Sequence, residues 1–157
     1  MWPAIDYPDD QGHDAMPALV VDAAVRARRR LRATGLPCVL GHADFEAQNL
    51  RWHGDQVWAV HDWDSLAWQP VAALAGAASG AFASAGPPKL APIESSEAFL
   101  GAYQDVRGHA FTAEEQEIAW AASLWMASYN LWEGLGGTPS LDAFRAQAAE
   151  RLRRANA

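Results

Sequence analysis

The 157-residue chain contains one cysteine, Cys38, and one lysine, Lys89. A lone thiol excludes an internal disulfide and points to a reducing compartment, so a cytoplasmic protein is expected. Its twelve basic residues are outnumbered by nineteen acids, giving a formal charge of −7. Such a chain lacks the basic face that phosphate backbones require, which argues against a nucleic-acid partner. Met1-Trp2-Pro3-Ala4 provides neither the basic start nor the apolar core of a signal peptide. Charge is missing altogether from Leu66 to Pro88, a window long enough to span a bilayer. Ala, Gly and Ser dominate that window and Pro70 interrupts it, so transfer into lipid would gain little. A buried helix of small residues is expected there, and no membrane contact.

What is present fits one domain, with half of its residues apolar and a fifth charged. Residues 1–16, with Asp6, Asp9, Asp10 and Asp14 among Pro3, Pro8 and Gly12, read as an acidic, loop-like leader to a domain over 17–157. Helical spacing predicts a helix over 18–33, stopped by Gly35. The arginines near its end, Arg26 to Arg32, suit either a solvated helix C-terminus or an anion contact. Val39 and Leu40 read as a short strand. Val71 to Ser84 reads as the small-residue helix, followed by a Pro-rich connection to Pro92. Ser95 or Ser96 is expected to cap a helix that ends near Gly108. Thr112-Ala113-Glu114-Glu115 is a capping box, opening a helix with Ile118, Ala122, Trp125, Met126 and Tyr129 on one face. Ser140 is expected to start the last helix, through Leu141, Phe144, Ala148 and Leu152.

The chemistry-bearing residues lie between 42 and 64. His42-Ala43-Asp44-Phe45-Glu46-Ala47-Gln48-Asn49 has the His-x-Asp-x-x-x-x-Asn spacing of a phosphotransferase catalytic loop. In that pattern the aspartate accepts the proton of an attacking hydroxyl and the asparagine ligates Mg²⁺. Leu50-Arg51-Trp52 and Val57-Trp58-Ala59-Val60, around His53-Gly54-Asp55-Gln56, read as a hairpin that returns His61-Asp62-Trp63-Asp64 to the side of Asn49. Mg²⁺ is a hard cation that takes oxygen ligands and only one or two protein carboxylates, a demand Asn49 and Asp62 meet. Asp44 then stays off the metal as the base.

These motifs resemble the C-terminal lobe of the aminoglycoside phosphotransferase and choline kinase-like family, whose fold is similar to that of protein kinases. The resemblance is specific over residues 38 to 70. It implies an α+β, predominantly helical lobe carrying its chemistry on a small hairpin. It also implies Asp44 as catalytic base, Asn49 and Asp62 as Mg²⁺ ligands, and Asp64 as a supporting acid. His42 is expected to pack and hydrogen-bond so as to hold the loop. The implied reaction is O-phosphorylation by ATP or GTP of a small hydroxylated, potentially cationic substrate: an aminoglycoside, a choline-like amine or a sugar. Three positions depart from the family pattern: Ala43 for Gly, Glu46 for His, and His61 for an aliphatic residue.

Only about forty residues precede the loop, and they contain no Gly-rich phosphate loop and no lysine. The nucleotide-binding lobe is therefore expected to be missing, as in a truncated, split or late-started product. Apolar surface should then be left exposed, favouring self-association or a partner fragment. Two other functions compete: a silent binding module derived from such a kinase, and a metal-dependent hydrolase using His42, Asp44, His61, Asp62 and Asp64. The tryptophans are expected mostly in the core, with Trp63 packing beside the metal aspartate. Asp105, Glu117 and Glu133 are candidates for lining a cationic acceptor's site, or else members of solvated helix faces.

Overall fold

The structure, a computed structural model, describes residues 16–81, 90–132 and 137–157. Its elements run α1 (Ala18–Ala33), β1 (Cys38–His42), β2 (Leu50–His53), β3 (Gln56–Val60), β4 (Leu66–Pro70), α2 (Val71–Ala81), α3 (Ile93–Arg107), α4 (Ala113–Trp132) and α5 (Gly137–Arg154). The architecture is α+β with helices dominant. The leader lies outside the described residues apart from Met16, which packs on the apolar cluster of α1, α4 and α5.

Helix α4 is the centre. Thr112 and Glu115 close the capping box reciprocally, the Thr112 N–H donating to Glu115 Oε2 (2.8 Å) and the Glu115 N–H to Thr112 Oγ1 (3.2 Å). Residues 118–125 are then all buried, so this helix is enclosed on every side rather than on the one face expected. Helix α1 packs on it through Val20, Ala23, Ala24, Ala27 and Leu31. α1 ends at Ala33, as expected, where Thr34 turns extended and its hydroxyl donates to Glu114 (2.6 Å). Of the α1 arginines, Arg30 pairs with Glu117 of α4 (2.7 Å) and Arg26 reaches the Ala157 carbonyl (2.6 Å). Glu117 is thereby held by α1.

The small residues of α2 serve close approach. A Cβ on Gly76 would collide with the backbone of Ala119, and one on Gly80 would lie 2.8 Å from the Ser123 carbonyl. Two serine expectations fail for tertiary reasons. α3 begins at Ile93 after Pro92, and Ser96 is buried within it, donating to the Ser79 carbonyl (2.9 Å). Likewise α5 begins at Gly137, so Ser140 is a buried first-turn residue. Gly108, at φ 82°, ends α3 as expected, its N–H donating to Gln104 and Asp105 carbonyls.

The strands form two antiparallel pairs. β2 and β3 make the expected hairpin, with Leu50 opposite Val60 and a register shift between Arg51 and Trp52. Gly54 takes the left-handed turn position at φ 58°. The second pair joins β1 to β4, with His42 opposite Leu66, Leu40 opposite Trp68 and Cys38 opposite Pro70. β4 is the first stretch of the uncharged window and was not anticipated as a strand.

Candidate active site

The segment from Ala43 to Asn49 is fastened at both ends by backbone hydrogen bonds. Ala43 N–H donates to the Ser65 carbonyl (2.9 Å), and His61 N–H donates to the Asn49 carbonyl (2.8 Å). The first bond ties the loop to the start of β4, and the second to the end of β3. The loop then tightens into a 3-10 turn over Ala47–Asn49, with Asn49 N–H donating to the Glu46 carbonyl (3.0 Å). Asn49 Nδ2 donates to the backbone carbonyl and to Oδ2 of Asp44, each at 2.9 Å. That leaves the Asn49 amide oxygen as the group it can offer a cation. Ala43 keeps a negative φ, so this position carries no backbone strain.

The hairpin delivers Asp62 next to this loop, in the left-handed region at φ 64°, ψ 47°. Aspartate is one of the few non-glycine residues that adopts such a backbone readily. His42 locks the arrangement. Its Nδ1 accepts the Asp44 N–H (3.2 Å), which fixes the proton on Nε2, where it donates to the His61 carbonyl (2.7 Å). The ring meets Phe45 and Trp63 edge-on, at centroid distances of 6.0 and 5.3 Å. Trp63 is itself anchored by Nε1–H to the Val60 carbonyl (2.8 Å). With both ring nitrogens engaged, His42 is spent as a positioning residue. The hydrolase alternative would have to break these bonds to use it as a ligand.

Carboxyl groups crowd the site. Asp62 is held above its usual range, first by its hydrogen bond with Asp64 and that group's charge, with smaller contributions from desolvation and Asp44. Asp64 is correspondingly lowered by accepting from Asp62. Glu46 is only 8% exposed, and burial, helped by the charge and hydrogen bond of Asp44, pushes it up to about 7. Gln48 Nε2 donates to it at 2.9 Å. Glu46 was noted in the sequence only as a departure from histidine; its burial beside Asp44 had no sequence signal.

Among the described residues, no group of three or more His, Cys, Asp or Glu side chains is arranged to hold a metal. The donor set that is present, the Asn49 amide oxygen and the Asp62 carboxylate, has the hard-oxygen chemistry of Mg²⁺, which retains waters and takes few protein ligands. Lys89 and Glu133 lie outside the described residues. Asp105 lies on α3 and is exposed, and Glu117 faces Arg30.

Compared with known proteins, the chain matches no family model, no curated protein and no solved structure.

The tryptophans beside the motif are not core, contrary to expectation. Trp52, Trp58, Trp63 and Trp68 are exposed by 52, 79, 57 and 64%, whereas Trp120 and Trp125 of α4 are buried. One face of the β1–β4 pair presents Leu40, Leu66 and Trp68, all exposed and continuous with His42. On the hairpin, Trp52 and its cross-strand partner Val57 are exposed together. No helix among the described residues is long and apolar enough to cross a membrane.

Proposed function

We propose that the chain carries the acceptor-and-metal half of an O-phosphotransferase of the aminoglycoside phosphotransferase and choline kinase-like kind, using Mg²⁺ with ATP or GTP. The observation that supports this reading best is local. The Asn49 amide holds the Asp44 carboxylate, while the β2–β3 hairpin brings a left-handed Asp62 against the same loop. In the reaction, the acceptor's O–H proton passes to Asp44. Its oxygen bonds to the γ-phosphorus, and the bond from that phosphorus to the β,γ-bridging oxygen breaks, the electron pair leaving with the nucleoside diphosphate. Asn49 and Asp62 would hold Mg²⁺, which when bound neutralises phosphate charge. Asp64 and His42 act through their neighbours, Asp64 on Asp62 and His42 on the two segments it bonds. A cytoplasmic setting belongs to this reading and rests on the single thiol, Cys38.

Calorimetric titration with Mg·ATP tests it, with Asp62→Asn alongside, since asparagine tolerates the left-handed backbone and changes only the charge. Binding by the parent that is lost in the variant is the expected result. Absence of binding by both would move the balance to a second reading, a silent binding module. That reading draws on the exposed Leu40, Trp52 and Trp68 and on the lack of lysine among the described residues. Within the kinase reading, the face of Leu40, Leu66 and Trp68 is where a nucleotide-gripping lobe would dock. Sedimentation across a wide concentration range checks this: a compact monomer throughout would exclude self-association through these rings.

A further inference from the structure

Among the described residues, each strand is paired along one edge only, and the two strand pairs treat their open edges differently. The β2–β3 hairpin is guarded: a bulge leaves Trp58 without a cross-strand partner, and the exposed Arg51 and Asp55 carry charge along it. β1 has no such guard. Cys38-Val39-Leu40-Gly41-His42 contains no lysine, arginine, acid or proline, and its register with β4 is unbroken. Successive residues of a strand point to opposite faces, yet Cys38, Val39 and Leu40 are all exposed. This half of β1 is therefore open on both faces as well as along its edge. β4, by contrast, buries Gln69 and Pro70.

An open, uncharged edge takes up a strand from another chain. The charges that flank β1 select which one. β1 runs from the end of α1, where Arg29 and Arg32 are exposed, into the loop of Asp44, with Asp62 and Asp64 following the hairpin. A strand that is basic before and acidic after complements an antiparallel copy of itself, because each acidic end then meets the other's basic end. A parallel copy would set acid against acid.

We propose that β1 pairs antiparallel with β1 of a second copy of this chain, about a two-fold axis at Leu40, joining the two strand pairs into one four-stranded sheet. In this register Leu40 stands opposite the partner's Leu40, and Cys38 opposite the partner's His42. The sheet then gathers Leu40, Leu66 and Trp68 of both copies on one face. Val39, Leu40, Leu66 and Trp68 leave about 300 Å² of apolar side chain open on each copy, against about 800 Å² per partner in a standard interface. The dimer is accordingly weak and concentration-dependent. It goes beyond the phosphotransferase reading and does not rest on it.

Sedimentation of the full chain from about 5 µM to about 1 mM tests the proposal, and a monomer–dimer equilibrium is expected. Leu40→Lys sets like charges across the axis and should raise the dissociation constant at least about tenfold. A second variant reads the register. Leu40→Cys in a Cys38→Ser background should give a disulfide-linked dimer under mild oxidation, because directly opposite residues bring their Cβ atoms to about 4.5–5.5 Å. The parent thiol should not cross-link, since the two copies of Cys38 would stand about 13 Å apart along the paired strands. A chain that stays monomeric throughout would leave the edge to a different partner and overturn the proposal. So would a dimer indifferent to Leu40→Lys, or cross-linking by the parent thiol in preference to Leu40→Cys. Because the cross-link is read in a variant that keeps a small uncharged side chain on the strand, misfolding of Leu40→Lys does not blunt the test.

Discussion

The side-chain amide of Asn49 is bound twice by Asp44, once through the backbone carbonyl and once through the carboxylate. One side chain thereby sets both the shape of the loop and the placement of the Asp44 carboxylate. Removing it in Asn49→Ala should cost about 1–2 kcal/mol in urea unfolding, the worth of hydrogen bonds to a charged group. It should also abolish Mg·ATP binding in calorimetry. A fully stable variant would mean that the loop is held by its backbone bonds alone.

Glu46 makes stability depend on pH in a definite direction. Its folded value of about 7 lies above the ordinary 4.5, so between these values the folded state keeps a proton that the unfolded chain has released. Its stabilising contribution is complete below 4.5 and is lost as the pH rises through 7. The loss should approach, on the order of, 3 kcal/mol. Glu46→Gln, permanently neutral, should flatten that part of the profile and be more stable than the parent at pH 8. Denaturant midpoints measured across the pH range decide this.

Arg151 is fully buried, yet its contacts are all neutral: Ser123 Oγ and the Ala91 carbonyl at 2.7 Å, Ser96 Oγ at 3.0 Å, Gln147 Oε1 at 3.1 Å, and the face of Trp120. Burial lowers it to about 10, so it remains charged at neutral pH. It ties α5 to α3, α4 and the segment before α3. Arg151→Ala should lose roughly 3–5 kcal/mol, combining a cavity with stranded acceptors. Arg151→Met should recover part of that loss by filling the space. Thermal unfolding of the pair separates the two contributions.

Two glycines should respond in opposite senses to the same methyl group. In Gly76→Ala the Cβ meets the rigid backbone of Ala119, and α2 must move off α4, at a cost of about 1–3 kcal/mol. In Gly101→Ala, inside α3, nothing stands within 4 Å of the new carbon, and helix propensity should add about 0.5–1 kcal/mol. Chemical denaturation of both variants tests the packing of α2 directly.

Local chemistry explains what was legible in the sequence. The β2–β3 turn at Gly54, the Thr112–Glu115 box and the Gly108 stop all depend on partners within a few residues. β4 was missed because its partner, β1, lies 28 residues away from Leu40 to Trp68, and nothing local marks Leu66–Pro70 as extended. Ser96 looked like a cap because serine favours that role, but the Ser79 carbonyl and Arg151 claim its hydroxyl. Size alone suggested that the motif tryptophans would be buried. Burial, however, depends on what faces a ring, and the strands of Trp52 and Trp68 face outward. Around the loop, the return of the hairpin to the side of Asn49 was readable, while the burial of the Glu46 carboxyl depends on tertiary packing.

Cys38 stands exposed at the head of β1, opposite Pro70 and on the side of Leu40 and Trp68. As the sole thiol of the chain, it gives a fluorophore one address and no second attachment point. A dye placed there would change colour or lifetime when that bare face becomes covered, so the protein carries a built-in gauge of its own occupancy.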